Sequence, residues 1–321
     1  MKQRILICLI VFTLLLPGCG SGEEPVSSQA GTGEELTVVA TTYPVYLLVR
    51  SVIEGVDGIR VERLSTGESS CLHDYTLSVN DMKKIEGADI IALNGAGLED
   101  FMDDALAATQ AQVIDCSEHV ELLENLAHDH AEGDEADHDH GHWDPHYWMD
   151  PANAAVMAKN LAAGLIEADP DNQSVYQENM LKTTTFLASW KGTLQSLLNW
   201  DEGPEITGLI TFHDGFQYFA KAFDLPLLAA IEEEAGSEAS AKEIQEITAL
   251  VKEYNLPVIF TEVNGSAATA QAIARETGCA VGQLTMIMDG PEDGTLQDNY
   301  YAGLKDNVAA IVNGFAGEEL Q

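Results

Sequence analysis

Three histidines are the residues of this sequence whose type and placement best suit metal binding. They lie in the segments CLHDYTLS (His73), DPHYWMDP (His146) and TFHDGFQYF (His213). Neutral imidazole is the commonest protein ligand for zinc, and a ligating ring needs a neighbour that orients its second nitrogen. The nearby acidic residues that could do so are Asp74, Asp144 and Asp214. One such histidine is weak evidence, but three in comparable loops indicate a shared site.

The elements that would position these histidines are alternating strands and helices. From Leu36, β-branched runs such as LTVVATT and DIIALNG alternate with amphipathic stretches, which predicts a mainly parallel sheet flanked by helices. The alternation stops after DPHYWMDP, where Asp150 and Pro151 predict the start of a helix. A second helix of about 29 residues, ~43 Å long, follows before the alternation resumes at ITGLITF.

The sequence therefore predicts an α/β protein of two lobes, each with a mainly parallel sheet flanked by helices, joined by a long rigid helix. Ligands of open α/β sheets bind outside the carboxyl ends of the strands. We therefore expect the three histidine loops to meet in a cleft between the lobes.

The amino-terminal residues predict export. Lys2 and Arg4 precede an apolar run that ends at Pro17, Gly18 and Cys19, in the order of a signal peptide. The segment LPGC resembles a bacterial lipobox, in which Cys19 would carry the lipid; a plain signal peptide with an incidental cysteine is the alternative. The predicted regions are a lipoprotein signal peptide (1–18), a flexible tether (19–35), an N-terminal lobe (36–150), linker helices (151–203) and a C-terminal lobe (204–321).

The composition excludes one class of partner. The chain has 53 acidic and 15 basic residues and a net charge of −38, whereas nucleic acid is bound by clustered Lys and Arg. Cys71, Cys116 and Cys279 are too few and too widely spaced for a disulfide framework or a structural zinc site. We expect three buried small hydrophobic residues, with one bridge and one free thiol as the alternative.

Residues 128–142 form a stretch of five histidines among Asp, Glu and Gly. They include too few apolar residues to pack into a core. Two interpretations stay open: a low-affinity collector of cations close to the cleft, and a solvated acidic loop whose histidines are incidental.

The quoted motifs, with EASAKEIQEI and IFTEVNGSAATAQAIARETG, resemble the solute-binding lipoproteins that deliver zinc or manganese to ABC importers. The resemblance covers nearly the whole mature chain. It implies that His73, His146 and His213 are metal ligands, that the chain belongs to the zinc branch with Mn²⁺ less favoured, and that it is no enzyme. It also implies a lipid-anchored, extracytoplasmic protein with a permease and its ATPase as partners. We expect a monomer.

The fourth ligand is the point at which the sequence departs from the family. Relatives often carry an acidic residue before the last helix, where this chain has Thr285. The remaining candidates are Asp289, Glu262 and water. A zinc-dependent hydrolase with Glu262 as base, and a metal-buffering surface adhesin without a permease, are the alternative functions. No H-E-x-x-H or G-x-S-x-G motif favours the hydrolase.

Overall fold

Two four-stranded parallel sheets form the framework of the computed structural model. It describes residues 35–65, 72, 75–125, 142–199, 203–231, 240–263 and 265–318. The strands are β1 (Leu36–Ala40), β2 (Ile59–Arg63), β3 (Ile90–Leu93), β4 (Gln112–Asp115), β5 (Leu209–Thr211), β6 (Leu227–Ala230), β7 (Val258–Glu262) and β8 (Ala280–Leu284). The strand orders, β2-β1-β3-β4 and β6-β5-β7-β8, are equivalent. The predicted α/β architecture of two lobes is confirmed.

Helices cover these sheets and connect the lobes. They are α1 (Tyr43–Val52), α2 (Val79–Glu86), α3 (Asp103–Ala108), α4 (Pro151–Ala168), α5 (Gln173–Leu198), α6 (Gln217–Ala222), α7 (Ala241–Glu253), α8 (Ala268–Thr277) and α9 (Ala302–Ala316). The Asp150 carboxylate accepts the Ala152 amide and Pro151 follows it, so α4 begins where the sequence predicted.

The core is continuous across the two lobes. Successive strand residues point to opposite faces of a sheet, so Val38 enters the central apolar cluster and Val39 an outer one. The central cluster also contains Phe260 of β7 and Leu161 of α4. Two smaller outer clusters include residues of α2 and α3 on one side and of α7 and α8 on the other. The shared core ties the lobes together.

Helix α5 contacts both lobes. It has 26 residues and is therefore ~39 Å long, somewhat shorter than predicted because regular structure ends at Leu198. The Asn179 side-chain amide donates to the Val52 carbonyl at the end of α1 at 3.0 Å. Farther along, the Trp190 ring stacks on Tyr301, immediately before α9, at 5.0 Å. The long connecting helix is thus fixed at both ends.

The expectation of three buried cysteines is partly wrong. Cys116 is buried, but Cys279, immediately before β8, is only partly buried, and both thiols are free. Cys71 lies outside the described residues.

Candidate metal centre

His213 follows the first strand of the C-terminal lobe, as the sequence predicted. Strand β5 is fully buried, and the Phe212 amide donates to the Phe260 carbonyl of the neighbouring strand at 3.0 Å. The Thr211 hydroxyl donates to the His213 carbonyl at 3.1 Å. The His213 side chain is 12% exposed. The strand end therefore holds this imidazole at the edge of the sheet.

His146 is held by the carboxylate that the sequence predicted. Asp144 Oδ1 lies 2.8 Å from His146 Nδ1 and accepts the His146 amide at 2.9 Å. Asp144 is buried, and so are the neighbouring side chains of Tyr147 and Trp148. A carboxylate at Nδ1 favours the tautomer with the proton on that nitrogen, which leaves the Nε2 lone pair available to a metal ion.

The two imidazoles face each other where the two lobes meet. Nε2 of His146 and Nε2 of His213 are 3.3 Å apart, and the rings are almost perpendicular, at 83°. Two nitrogens bound to one zinc ion at ~2.0–2.1 Å in a tetrahedral shell are separated by roughly 3.3 Å. Without an ion, the same separation suits a hydrogen bond between the rings. The pair is spaced to share one ion.

Glu262 adds a buried carboxyl group beside this pair. It is the last residue of β7, and its Oε2 lies 3.9 Å from His213 Nδ1. Burial raises the pKa of Glu262 to about 7, and the His146 imidazole acts in the opposite direction. The carboxyl group contacts the Nδ1 side of His213, the side opposite the nitrogen that faces His146. At 3.9 Å it lies beyond ordinary hydrogen-bond distance of that nitrogen.

His73 lies outside the described residues, as does Asp74, but the residues around them are tied together. The buried Asp81 carboxylate accepts the Ser65 amide at 2.9 Å and the Tyr75 hydroxyl at 2.8 Å. The Tyr75 amide also donates to the carbonyl of buried Leu72 at 2.9 Å. Both flanks of the His73 segment are therefore anchored at one carboxylate.

Burial alone would raise the pKa of Asp81. Hydrogen bonds from Ser78, Ser65 and Tyr75 outweigh that effect and lower the pKa to about 2. The carboxylate is thus ionised throughout the physiological range.

The candidates for a fourth ligand take different positions. Asp289 is 49% exposed and pairs with Arg63, Oδ1 to Nη2, at 3.1 Å. The Thr285 hydroxyl accepts the Ile287 amide at 3.0 Å. Among the described residues, no group of three or more His, Cys, Asp or Glu side chains has the arrangement of a metal site. Completion of the site would therefore require a group in addition to the facing imidazoles.

Sequence reasoning missed Glu99, which supports the His146 segment through Asn94. Its buried carboxyl group accepts the amides of Asn94 and Gly95 at 2.7 and 2.8 Å. The Asn94 side-chain amide donates to the Pro145 carbonyl at 3.1 Å, and the Asn94 backbone carbonyl accepts the Tyr147 hydroxyl. Burial raises the pKa of Glu99 to about 7, against hydrogen bonds from its partners. An acidic residue soon after a predicted strand was the available signal.

Sequence reasoning also missed Met286, which lies where the two lobes meet. Its carbonyl accepts the Trp148 indole N–H at 2.9 Å, although the two residues belong to different lobes. The apolar run TMIM, in which it lies, carries no signal that distinguishes it from an ordinary core residue.

The histidine-rich stretch 128–142 lies outside the described residues except for His142. That residue is 63% exposed, and its ring packs edge-on against Trp143 at 4.5 Å. Glu124 and Trp143 form an antiparallel bridge, and the Asp144 amide donates to the Leu123 carbonyl at 2.8 Å. The residues that flank this stretch on its two sides are therefore paired with each other, next to the Asp144–His146 segment.

Comparison with known proteins identifies a class with this fold. A crystal structure of ZnuA superposes with a TM-score of 0.71 at 26% sequence identity, covering 87% of this chain and 98% of that one. The family described as "Zinc-uptake complex component A periplasmic" matches residues 38–314.

None of the helices in the described parts of the chain is long and apolar enough to cross a membrane.

Two curated relatives differ in the metal that they are named for. The high-affinity zinc uptake system protein ZnuA of Bacillus subtilis is 28% identical over 269 residues, 83% of this chain and 82% of the relative. The manganese ABC transporter substrate-binding lipoprotein PsaA of Streptococcus pneumoniae serotype 4 is 25% identical over 327 residues, 98% of this chain and 99% of the relative.

The chain belongs to the ZnuA family and is the metal-binding, extracytoplasmic component of an ABC uptake system. It binds a substrate ion and is not an enzyme, which removes the hydrolase alternative. Substrate-binding components of this class work with a permease and an ATPase.

Proposed function

We propose that the ion is zinc, that it is captured in the cleft between the lobes by His73, His146 and His213, and that it is delivered to the permease. The observation that carries the proposal is the 3.3 Å separation of the two Nε2 atoms, which suits two ligands of one ion. His73 would supply the third imidazole from the segment whose flanks meet at Asp81.

The donor set supports zinc over manganese. Zinc is borderline soft and is well served by imidazoles in a tetrahedral shell, whereas manganese favours more oxygen ligands. The Asp289 carboxylate is already paired with Arg63. Because affinity alone would not exclude copper or nickel, geometry and metal availability have to supply the remaining selectivity.

The regions outside the cleft complete the proposal. Cys19 would carry the lipid after removal of 1–18, and 19–35 would tether the protein to the membrane. The lobes would extend over 36–150 and 204–321 with linker helices at 151–203, and the protein would act as a monomer. The stretch 128–142 would collect cations weakly next to the site, a role that its acidic and histidine content supports.

A zinc titration of the purified protein tests the site. Wild type should bind one zinc ion tightly, and His73→Ala, His146→Ala and His213→Ala should each lose that binding. The matched control is His119→Asn, because His119 is exposed and Asn tolerates its left-handed backbone (φ 65°). Unchanged affinity in the three site variants would refute the assignment.

Elemental analysis separates the site from the histidine-rich stretch. Protein purified without added metal should retain one zinc ion per chain after deletion of residues 128–142. Loss of that zinc on deletion would instead assign the tight site to the stretch itself.

A further inference from the structure

The thioether of Met286 borders the imidazole of His213. Gly215 lies between them, and a methyl group on Gly215 would stand 2.7 Å from His213 Cδ2, 2.3 Å from Met286 Cε and 3.0 Å from Met286 Sδ. All three atoms therefore surround the small space that this glycine leaves open. Cδ2 is bonded to Nε2, the nitrogen that faces His146. The Met286 sulfur and the ring carbon bonded to this nitrogen therefore border the same small space.

The backbone on either side of Met286 is fixed by three hydrogen bonds. The buried Asn307 side chain accepts the Thr285 amide and donates to the Thr285 carbonyl, both at 2.8 Å. The Trp148 indole donates to the Met286 carbonyl at 2.9 Å. Since Trp148 is two residues from His146, the imidazole and the thioether are positioned by one connected set of contacts.

The backbone after Met286 is strained. Ile287 has φ of +60°, a region that β-branched residues rarely adopt. Such a conformation persists only where the surroundings enforce it. Met286 itself is 1% exposed. It belongs to the central apolar cluster, so its side chain is held in place by packing.

A thioether is a soft, uncharged donor, and soft sulfur ligands favour ions such as Cu⁺ and Zn²⁺, whereas Mn²⁺ is suited to carboxylate, carbonyl and water oxygens. We propose that Met286 is a specificity-determining residue that adds a soft donor beside the imidazole pair, so that the cleft discriminates against Mn²⁺ and also accepts soft cations. The proposal rests on the function proposed above, in which His146 and His213 hold the transported ion.

Competition titrations with Zn²⁺, Mn²⁺ and Cd²⁺ test the role of the sulfur, with Cd²⁺ as the soft probe. Met286→Leu removes the sulfur at similar volume. It should lower Cd²⁺ affinity about ten-fold relative to Mn²⁺ affinity. Met157→Leu is the matched control, because Met157 is also buried but lies in α4, and it should leave the ratio unchanged. An unchanged ratio in Met286→Leu would overturn the proposal.

X-ray absorption at the cadmium edge provides a direct readout. A sulfur neighbour should be present in wild type and in Met157→Leu and absent in Met286→Leu; a wild-type spectrum with only nitrogen and oxygen neighbours would overturn the proposal. Failure of wild type to bind any of the three ions tightly would refute the proposed function instead. Tight zinc binding with no effect of Met286→Leu would refute only the role of the thioether.

Discussion

The two lobes share one strand order, yet one pair of equivalent loops carries different chemical groups. The loops after β4 and β8 are equivalent in the two sheets. The first carries Asp144 and His146, and the second carries Thr285 and Met286. After these two strands the N-terminal lobe thus has an imidazole held by a carboxylate, and the C-terminal lobe a thioether whose backbone is held by hydrogen bonds. In the proposed site, one topology would thus present donors of different hardness to the same ion.

A second pair of equivalent elements shows the same divergence. Helices α2 and α7 follow β2 and β6, and each begins with a capping box, formed by Ser78 with Asp81 and by Ser240 with Glu243. Asp81 is buried and also binds residues on both flanks of the His73 segment. The Ser240–Glu243 box is exposed. The same local motif is thus a simple cap in one lobe and an anchor for a candidate metal-binding segment in the other.

The largest effect should come from the carboxylate that holds His146. Asp144→Asn removes the charge that favours the proton on Nδ1, and orienting partners of this kind typically contribute 10- to 100-fold (roughly) to metal affinity. Glu262→Gln should lower zinc affinity by less than about ten-fold. The reason is distance: Glu262 Oε2 is 3.9 Å from His213 Nδ1, whereas Asp144 Oδ1 is 2.8 Å from His146 Nδ1. Zinc competition against a chelator measures both. Equal losses would contradict the difference between the lobes.

Closing the space at Gly215 should have the next largest effect. The added methyl of Gly215→Ala would overlap Met286 and His213, and overpacking of this kind costs up to about 3 kcal/mol. Both the free energy of unfolding and the zinc affinity should fall. Gly192→Ala is the control, because nothing lies within 4 Å of the added methyl in α5; it should be neutral or stabilise by up to about 1 kcal/mol. Wild-type behaviour of Gly215→Ala in denaturation and zinc titration would contradict the close packing.

The pH dependence of stability should differ between the two capping boxes. The pKa of Asp81 falls from 3.8 to about 2 on folding, so its contribution is present above pH 3.8 and is lost as the pH falls towards 2. Asp81→Asn should lower the free energy of unfolding by about 2 kcal/mol at neutral pH. It should also make that free energy less dependent on pH over the same acidic range. Glu243→Gln should cost less than about 1 kcal/mol. Denaturant unfolding at several pH values measures the difference, and equal effects would contradict it.

The order of elements was predictable because the chain alternates between two physical patterns. Short β-branched runs such as DIIALNG form strands buried on both faces, and the helical stretches between them bury one face. The predicted strand ends placed His213 directly after the first strand of the C-terminal lobe. The spacing of Asp144 and His146 indicated the carboxylate that contacts the His146 ring. These inferences succeeded because they depend on local sequence and on the general geometry of parallel sheets.

The rest depends on contacts that local sequence does not encode. The spacing of Ser78 and Asp81 is a recognisable capping box, but nothing in it indicates that Asp81 also binds Ser65 and Tyr75. Met286 lies in an apolar run and became part of the cleft only through the packing of Gly215 and Trp148 against its loop. Likewise, the pairing of Asp289 with Arg63 joins two lobes, so its role could not be read from its position near the last helix.

The smallest effect should come from Asp289, a carboxylate of the C-terminal lobe. Its pair with Arg63 is half-exposed on the Asp289 side, and ion pairs of this kind contribute less than about 1 kcal/mol. Arg63 also stacks on the Tyr43 ring at 4.7 Å, a contact that Asp289→Asn leaves in place. This variant should therefore change the free energy of unfolding by less than about 1 kcal/mol and leave zinc affinity unchanged. A large loss of zinc affinity would mean that Asp289 leaves Arg63 to bind the ion, and the C-terminal lobe would then supply an oxygen ligand as well as the Met286 sulfur.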